Sequence, residues 1–134
     1  MKFFVDNNLP PSLAKALHAL SESSEHEVIH LKQMFAPDAT DSEWIERLSE
    51  QGGWSVITHD KLNKGLEREA LRRAGLIVFF LDKGWSNHHF WDKAHNLVRW
   101  WPRIIEQSEG MKGAAAFKVP YNFSGKGQFE QVIL

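Results

Sequence analysis

Lys2-Phe3-Phe4-Val5-Asp6-Asn7-Asn8-Leu9-Pro10-Pro11-Ser12 is the stretch from which the fold class of this chain is read. Its first four residues form a short apolar burst that Asp6-Asn7-Asn8 stops, the pattern of a buried strand ending in a polar turn. Pro10-Pro11-Ser12 then opens a helix, because proline is tolerated in the first helical turn, with Leu13, Ala16, Leu17 and Leu20 expected along its apolar face. Strand, turn and helix in this order begin a β-α-β unit, and the strand's carboxyl end carries an acid.

The alternation continues outward from this unit. After a polar break at residues 21–25, Glu27-Val28-Ile29-His30-Leu31 reads as a second short strand, followed by a loop through Phe35-Ala36-Pro37-Asp38-Ala39-Thr40. Thr40-Asp41-Ser42-Glu43 ahead of Trp44-Ile45-Glu46-Arg47-Leu48 is a helix start, a Thr or Asp cap with an acid close behind, and Gly52-Gly53 ends that helix. Trp54-Ser55-Val56-Ile57-Thr58 is a strand stopped by His59-Asp60, which again puts a carboxylate just past a strand end. Leu66 to Ala74 reads as a helix terminated by Gly75, and Leu76 to Leu81 as a strand apolar enough to be buried on both faces. Asn87 to Ile105 is the longest expected helix, with Phe90, Trp91, Ala94, Leu97, Val98, Trp101 and Ile105 as its apolar stripe and Pro102 expected to kink it or end it early. Ala114 to Val119 and Phe129 to Leu134 are the last two strand candidates. The expected fold is therefore a single α/β domain over residues 1–134, a largely parallel sheet flanked by helices, with the last two strands as candidates for an antiparallel edge.

Composition bounds the function. The chain has 134 residues, 43% hydrophobic and 25% charged, with a net charge of −1, which suits one globular domain and excludes disorder, collagen and coiled coil. There is no cysteine, so disulfide scaffolds, thiolate metal sites and cysteine nucleophiles fall away together. Only three apolar residues follow Met1-Lys2 before Asp6, which is no secretory signal, and the expectation is a cytoplasmic protein. Residues 1–60 hold 4 Lys/Arg against 10 Asp/Glu, whereas residues 61–134 hold 12 against 7. An acidic first part and a basic second part suit a carboxylate site beside an electrostatic binding surface.

In an open parallel sheet ligands bind at the carboxyl ends of the strands, so Asp6 and Asp60 are candidates for one crevice, and Asp41 at a helix start could join them. Carboxylates brought together repel one another unless a cation lies between them, which makes a hard divalent ion, Mg²⁺ or Mn²⁺, the economical occupant. Each also has a purely local reading: an Asx turn for Asp6 and Asp60, a helix cap for Asp41.

Three strings, Phe3-Phe4-Val5-Asp6-Asn7-Asn8-Leu9-Pro10-Pro11, Thr40-Asp41-Ser42-Glu43-Trp44-Ile45 and Val56-Ile57-Thr58-His59-Asp60-Lys61, resemble those of the PIN-domain nucleases, particularly the short PIN-like proteins related to VapC toxins. That pattern has an acid ending the first strand, an Asp starting a later helix and a Thr-x-Asp ending the next strand, over roughly residues 1–85. The resemblance implies metal-assisted hydrolysis of RNA phosphodiester bonds, with Asp6, Asp41 and Asp60 as catalytic metal ligands and Mg²⁺ or Mn²⁺ as cofactor. It implies orienting roles for Asn8 and Thr58, and a phosphate contact at Lys61. The partners implied are an RNA substrate and a cognate antitoxin. The family's further acid has no clear position here; Asp38 and Glu43 are the alternatives, and Asn7 stands where related proteins often carry an acid.

Lys83, Arg99 and Arg103 are expected to complete with Lys61 a positive rim that binds RNA. Trp85, Trp91, Trp100 and Trp101 crowd into the same basic segment, and since one helix face does not take both Trp100 and Trp101, the crowding suits a core and a dimer or antitoxin interface ahead of base stacking. His88, His89 and His95 lack the three- or four-residue spacing of helical zinc ligands, and His26/His30, which has it, falls on a strand. Two rival readings remain: a receiver-like phosphoacceptor, which would need Lys83 at its site and a second acid where Asn7 stands, and a PIN-like module that only binds.

Overall fold

The computed structural model describes residues 1–62 and 67–134. In chain order the elements are β1 (Lys2–Val5), α1 (Pro11–Ser21), β2 (Glu27–His30), α2 (Leu31–Met34), α3 (Asp41–Gln51), β3 (Trp54–Thr58), α4 (Glu67–Ala74), β4 (Ile77–Leu81), α5 (Phe90–Glu109), β5 (Ala115–Val119) and β6 (Glu130–Val132), with 3-10 turns at Glu22–Ser24 and Lys83–Asn87. The expected helix over 66–74 is thus found from Glu67; Leu66 lies outside the described residues.

The strands form one sheet in the order β2-β1-β3-β4-β5-β6, parallel from β2 to β5, with β6 antiparallel to β5. Alternation along each strand sends side chains to opposite faces. Phe3, Val5, Ile57, Phe79 and Phe117 pack with α1 and α5, and Phe4, Val56, Val78 and Phe80 pack with Trp44, Ile45 and Leu48 of α3 and Leu71 of α4. Covered on both faces, β3 and β4 are buried along their whole length. His30, Val5, Ile57, Phe79 and Phe117 form one row across the sheet; β2 and β1 end on it, β3 runs one residue further and β4 and β5 two.

Four expectations need correction. The buried face of α1 is Leu13, Ala14, Leu17 and Ser21; Ala16 is exposed and Leu20 is 60% exposed, because Ser21 accepts a hydrogen bond from Trp101 Nε1 at 2.7 Å and turns the helix toward α5. Leu31 starts a short helix rather than ending β2: His30 caps it, its Nδ1 accepting from the Lys32 N–H while Gln33 Oε1 accepts from the His30 N–H. α5 starts at Phe90, runs through Pro102 to Glu109, and leaves Phe90, Trp91 and Val98 of the expected apolar stripe exposed, its buried side being centred on Leu97, Trp100, Trp101 and Ile104. The N–H that proline lacks would have bonded the Val98 carbonyl; both residues lie on the exposed side, where a freed carbonyl is open to solvent, while Trp100, Trp101, Ile104 and Ser108 keep the opposite side buried. Finally, Trp100 and Trp101 both point inward, since α5 is covered from two sides. Trp101 packs on Phe3 and reaches Ser21, and Trp100 packs on Phe123 and Phe129 of the C-terminal segment.

Candidate functional site

β1 ends at Val5 and delivers Asp6, only 5% exposed, to the carboxyl edge of the sheet. One of its oxygens accepts the Asn7 N–H at 2.6 Å and the other the Thr58 hydroxyl at 2.7 Å. Thr58, the fully buried last residue of β3, also accepts the Asp60 N–H at 3.0 Å, so one hydroxyl couples both strand-end acids. The two turns are joined a second time where Asn8 Oδ1 accepts the His59 N–H at 3.2 Å. His30 supports the first turn from the next strand, its Nε2–H donating to the Leu9 carbonyl at 2.6 Å; with Nδ1 accepting from Lys32, these contacts define the ring's tautomer.

Asp60 also makes an Asx turn, its Oδ1 accepting the Leu62 N–H at 3.0 Å. Asp41 is brought in by α3. Thr40 caps that helix in a reciprocal box with Glu43, which leaves Asp41 in the first turn, and its Oδ1 accepts Trp44 Nε1–H at 2.9 Å. The Trp44 ring is buried and stacked on Phe4 of β1, 5.1 Å between centroids, so the Asp41 carboxylate is referenced to the strand that carries Asp6.

Asp6, Asp41 and Asp60 line one cavity of about 270 Å³ together with Asn7, Asn8, Leu31 and Ala39. Burial is the main cause that raises the Asp6 carboxyl above the ordinary aspartate range; the bonds from Thr58 and Asn7 pull it down, and the charges of Asp41 and Asp60 push it up again. Among the described residues no three acidic or histidine side chains already stand in an ion-holding arrangement. The donor chemistry nevertheless fits a hard divalent cation: three carboxylates and two amides line the cavity, with neither thiol nor imidazole.

The other expected residues lie elsewhere. Lys61 is exposed next to Asp60, and its carbonyl accepts from Arg68; Lys83 is exposed in the turn after β4. Arg99 lies over Phe123, and Arg103 lies over Phe129 and donates to the Gly127 carbonyl at 2.8 Å, so both hold the C-terminal segment and neither lines the cavity. Asp38 is exposed and Glu43 closes the capping box; neither reaches the cavity lining. His30 has both ring nitrogens engaged and His88 is stacked on Tyr121, at positions that serve packing and turn support. Two residues with site roles were not foreseen. Trp44 could have been found from its three-residue spacing to Asp41 on a helix, whereas nothing local marks His30, whose partner is 21 residues away.

A family model described as a PIN-like domain matches residues 1–83, which contain Asp6, Asp41 and Asp60. Searches of curated proteins and of solved structures return no match.

Proposed function

Since the chain belongs to the PIN-like domain family, we propose that it is a metal-dependent endoribonuclease that hydrolyses RNA phosphodiester bonds. The observation that carries this reading is the meeting of Asp6, Asp41 and Asp60, from three separate elements, on one cavity in which the charges of Asp41 and Asp60 act on Asp6. These three carboxylates would hold Mg²⁺ or Mn²⁺, which supplies Lewis-acid polarisation of the phosphate and a hydroxide from bound water. Thr58 fixes the orientation of Asp6, and Trp44 that of Asp41. Asn7 and Asn8 offer neutral amides at the cavity, and Lys61, beside Asp60, supplies a cation for the phosphate backbone. The lone acid of Asp6-Asn7-Asn8 and the family membership favour this over a receiver-like phosphoacceptor.

The resemblance of the three acid-bearing strings to VapC-related proteins supports a narrower reading, a toxin paired with a cognate antitoxin and acting on RNA in the cytoplasm. The deciding assay incubates the purified chain with unstructured RNA and Mg²⁺ or Mn²⁺. Cleavage should disappear with EDTA and in Asp6→Asn and Asp60→Asn; Asn at 60 still accepts the Leu62 N–H, which separates the turn from the chemistry. Cleavage that survives both substitutions, or EDTA, overturns the assignment. For the toxin role, expression of the wild type should arrest growth and that of Asp6→Asn should not.

A further inference from the structure

Five of the six tryptophans are buried, and Trp91 is 80% exposed. Phe90, 40% exposed, stands edge-on to it with ring centroids 5.4 Å apart. An exposed aromatic pair of this size marks a contact surface, and its place in the fold says which. The chain leaves β4 at its carboxyl end, crosses the 3-10 turn over Lys83–Asn87 and enters α5, so the first turn of α5 lies at the same end of the sheet as Asp6 and Asp60. Tyr121, two residues past β5, ties it there: its hydroxyl donates to the Asp92 carbonyl at 3.4 Å, and its ring stacks on His88 at 3.6 Å with only 4° between the planes. Because β5 is two strands from β3, this end of β5 lies on the order of 10 Å from the end of β3, a span that a few nucleotides cover.

We propose that Trp91 and Phe90 form a base-stacking platform for unpaired nucleotides next to the scissile phosphate, so that the substrate is single-stranded RNA laid along the carboxyl ends of β3, β4 and β5. This rests on the nuclease reading and extends it. Aromatic faces stack any base that is not already stacked in a duplex, and cationic neighbours hold the backbone. Lys83 and Lys93 are the cations of this stretch, and Asp82, whose carboxylate accepts the Gly84 N–H, and Asp92 match them in number, so stacking rather than net charge carries the contact. A protein-binding surface would center on a continuous apolar patch; here the nearest exposed apolar residue on the same helix face, Val98, lies two turns further on.

The test measures binding of a labelled, unstructured RNA of about ten nucleotides, and of the same sequence as a duplex, in Ca²⁺ so that turnover does not interfere. Trp91→Ala should weaken single-strand binding about tenfold or more, Trp91→Phe should retain most of it, and duplex binding should not change. In Mg²⁺ the Trp91→Ala variant should show a raised KM with kcat preserved, and its melting temperature should match the wild type because the ring is exposed. Single-strand binding by Trp91→Ala equal to wild type overturns the platform. So does loss of self-association in that variant with RNA affinity intact, which would assign the face to a protein contact. If the wild type cleaves RNA and Asp6→Asn does not while Trp91→Ala is unaffected, only the platform fails; if the wild type neither binds nor cleaves RNA, the nuclease reading fails with it.

Discussion

The Thr58 hydroxyl donates to Asp6 and accepts from the Asp60 backbone, so a single buried atom sets the relation between two strand-end acids. Thr58→Val keeps the side-chain shape and removes both bonds. An unsatisfied buried acceptor and donor cost roughly 1–3 kcal/mol, and the variant should melt correspondingly earlier. Losing that hydrogen bond also removes one of the influences that lower the Asp6 pKa, so in the metal-free protein the Asp6 carboxyl of Thr58→Val should titrate, by NMR, along a curve displaced to higher pH than in the wild type. Coincident curves would show that the bond does not act on Asp6. Asp6 itself makes stability depend on pH. Its folded carboxyl is raised, so the folded state binds the proton more tightly than the unfolded chain. The resulting stabilisation is complete below the ordinary value of 3.8 and is lost as pH rises through the higher folded value. Asp6→Asn has no such loss. Without metal, its melting temperature relative to the wild type should therefore climb as pH rises above 3.8 and level off once the folded carboxyl has ionised, and a flat difference would contradict the burial and charge repulsion assigned to Asp6.

Among the elements, α5 departs furthest from its sequence pattern. A helix interior tolerates proline poorly, at a cost of about 3 kcal/mol, yet this one continues seven residues past Pro102. What carries it is the buried side, where Trp101 is bonded to Ser21 of α1 and Trp100 is covered by the C-terminal segment. Since Pro102 is exposed, Pro102→Ala should restore the bond to the Val98 carbonyl without disturbing that packing, and scanning calorimetry should show a rise of a few degrees in melting temperature. A fall would mean that the proline's geometry is itself required. In α3, by contrast, local signals were sufficient: Thr40 and Glu43 form the expected capping box, and Gly52, with φ of 72°, follows the last turn. Capping depends on neighbours within one turn, and so the sequence pattern displays it.

At the scale of the molecule, the family match stops at residue 83 while the packing does not. Phe3, Val5, Ile57 and Phe79 share a cluster with Leu97, Trp100, Trp101 and Ile104 of α5 and with Phe117 of β5. A fragment of residues 1–83 would keep α1 on that face but lose α5 and β5, which exposes the rest of the face to water; circular dichroism should find it without a cooperative melt, whereas the full chain should unfold in one transition. A cooperative fragment would show that the remaining residues are an addition to a core already complete. The α/β alternation, all six strands, the antiparallel C-terminal edge, the cap at Thr40 and the strand-end positions of Asp6 and Asp60 were legible in the residues alone, because apolar period, turn residues and caps act over a few residues. Packing between distant segments settled which face of α1 is buried, that Trp100 and Trp101 both turn inward, that Arg103 holds the Gly127 loop, and that His30 and Trp44 support the acids. Most of these depend on partners 21 to 80 residues away, and the one within reach, Trp44, takes its meaning from Phe4 on another strand. A side chain's direction is set by the surface it meets, and that surface exists only once distant segments have been brought together.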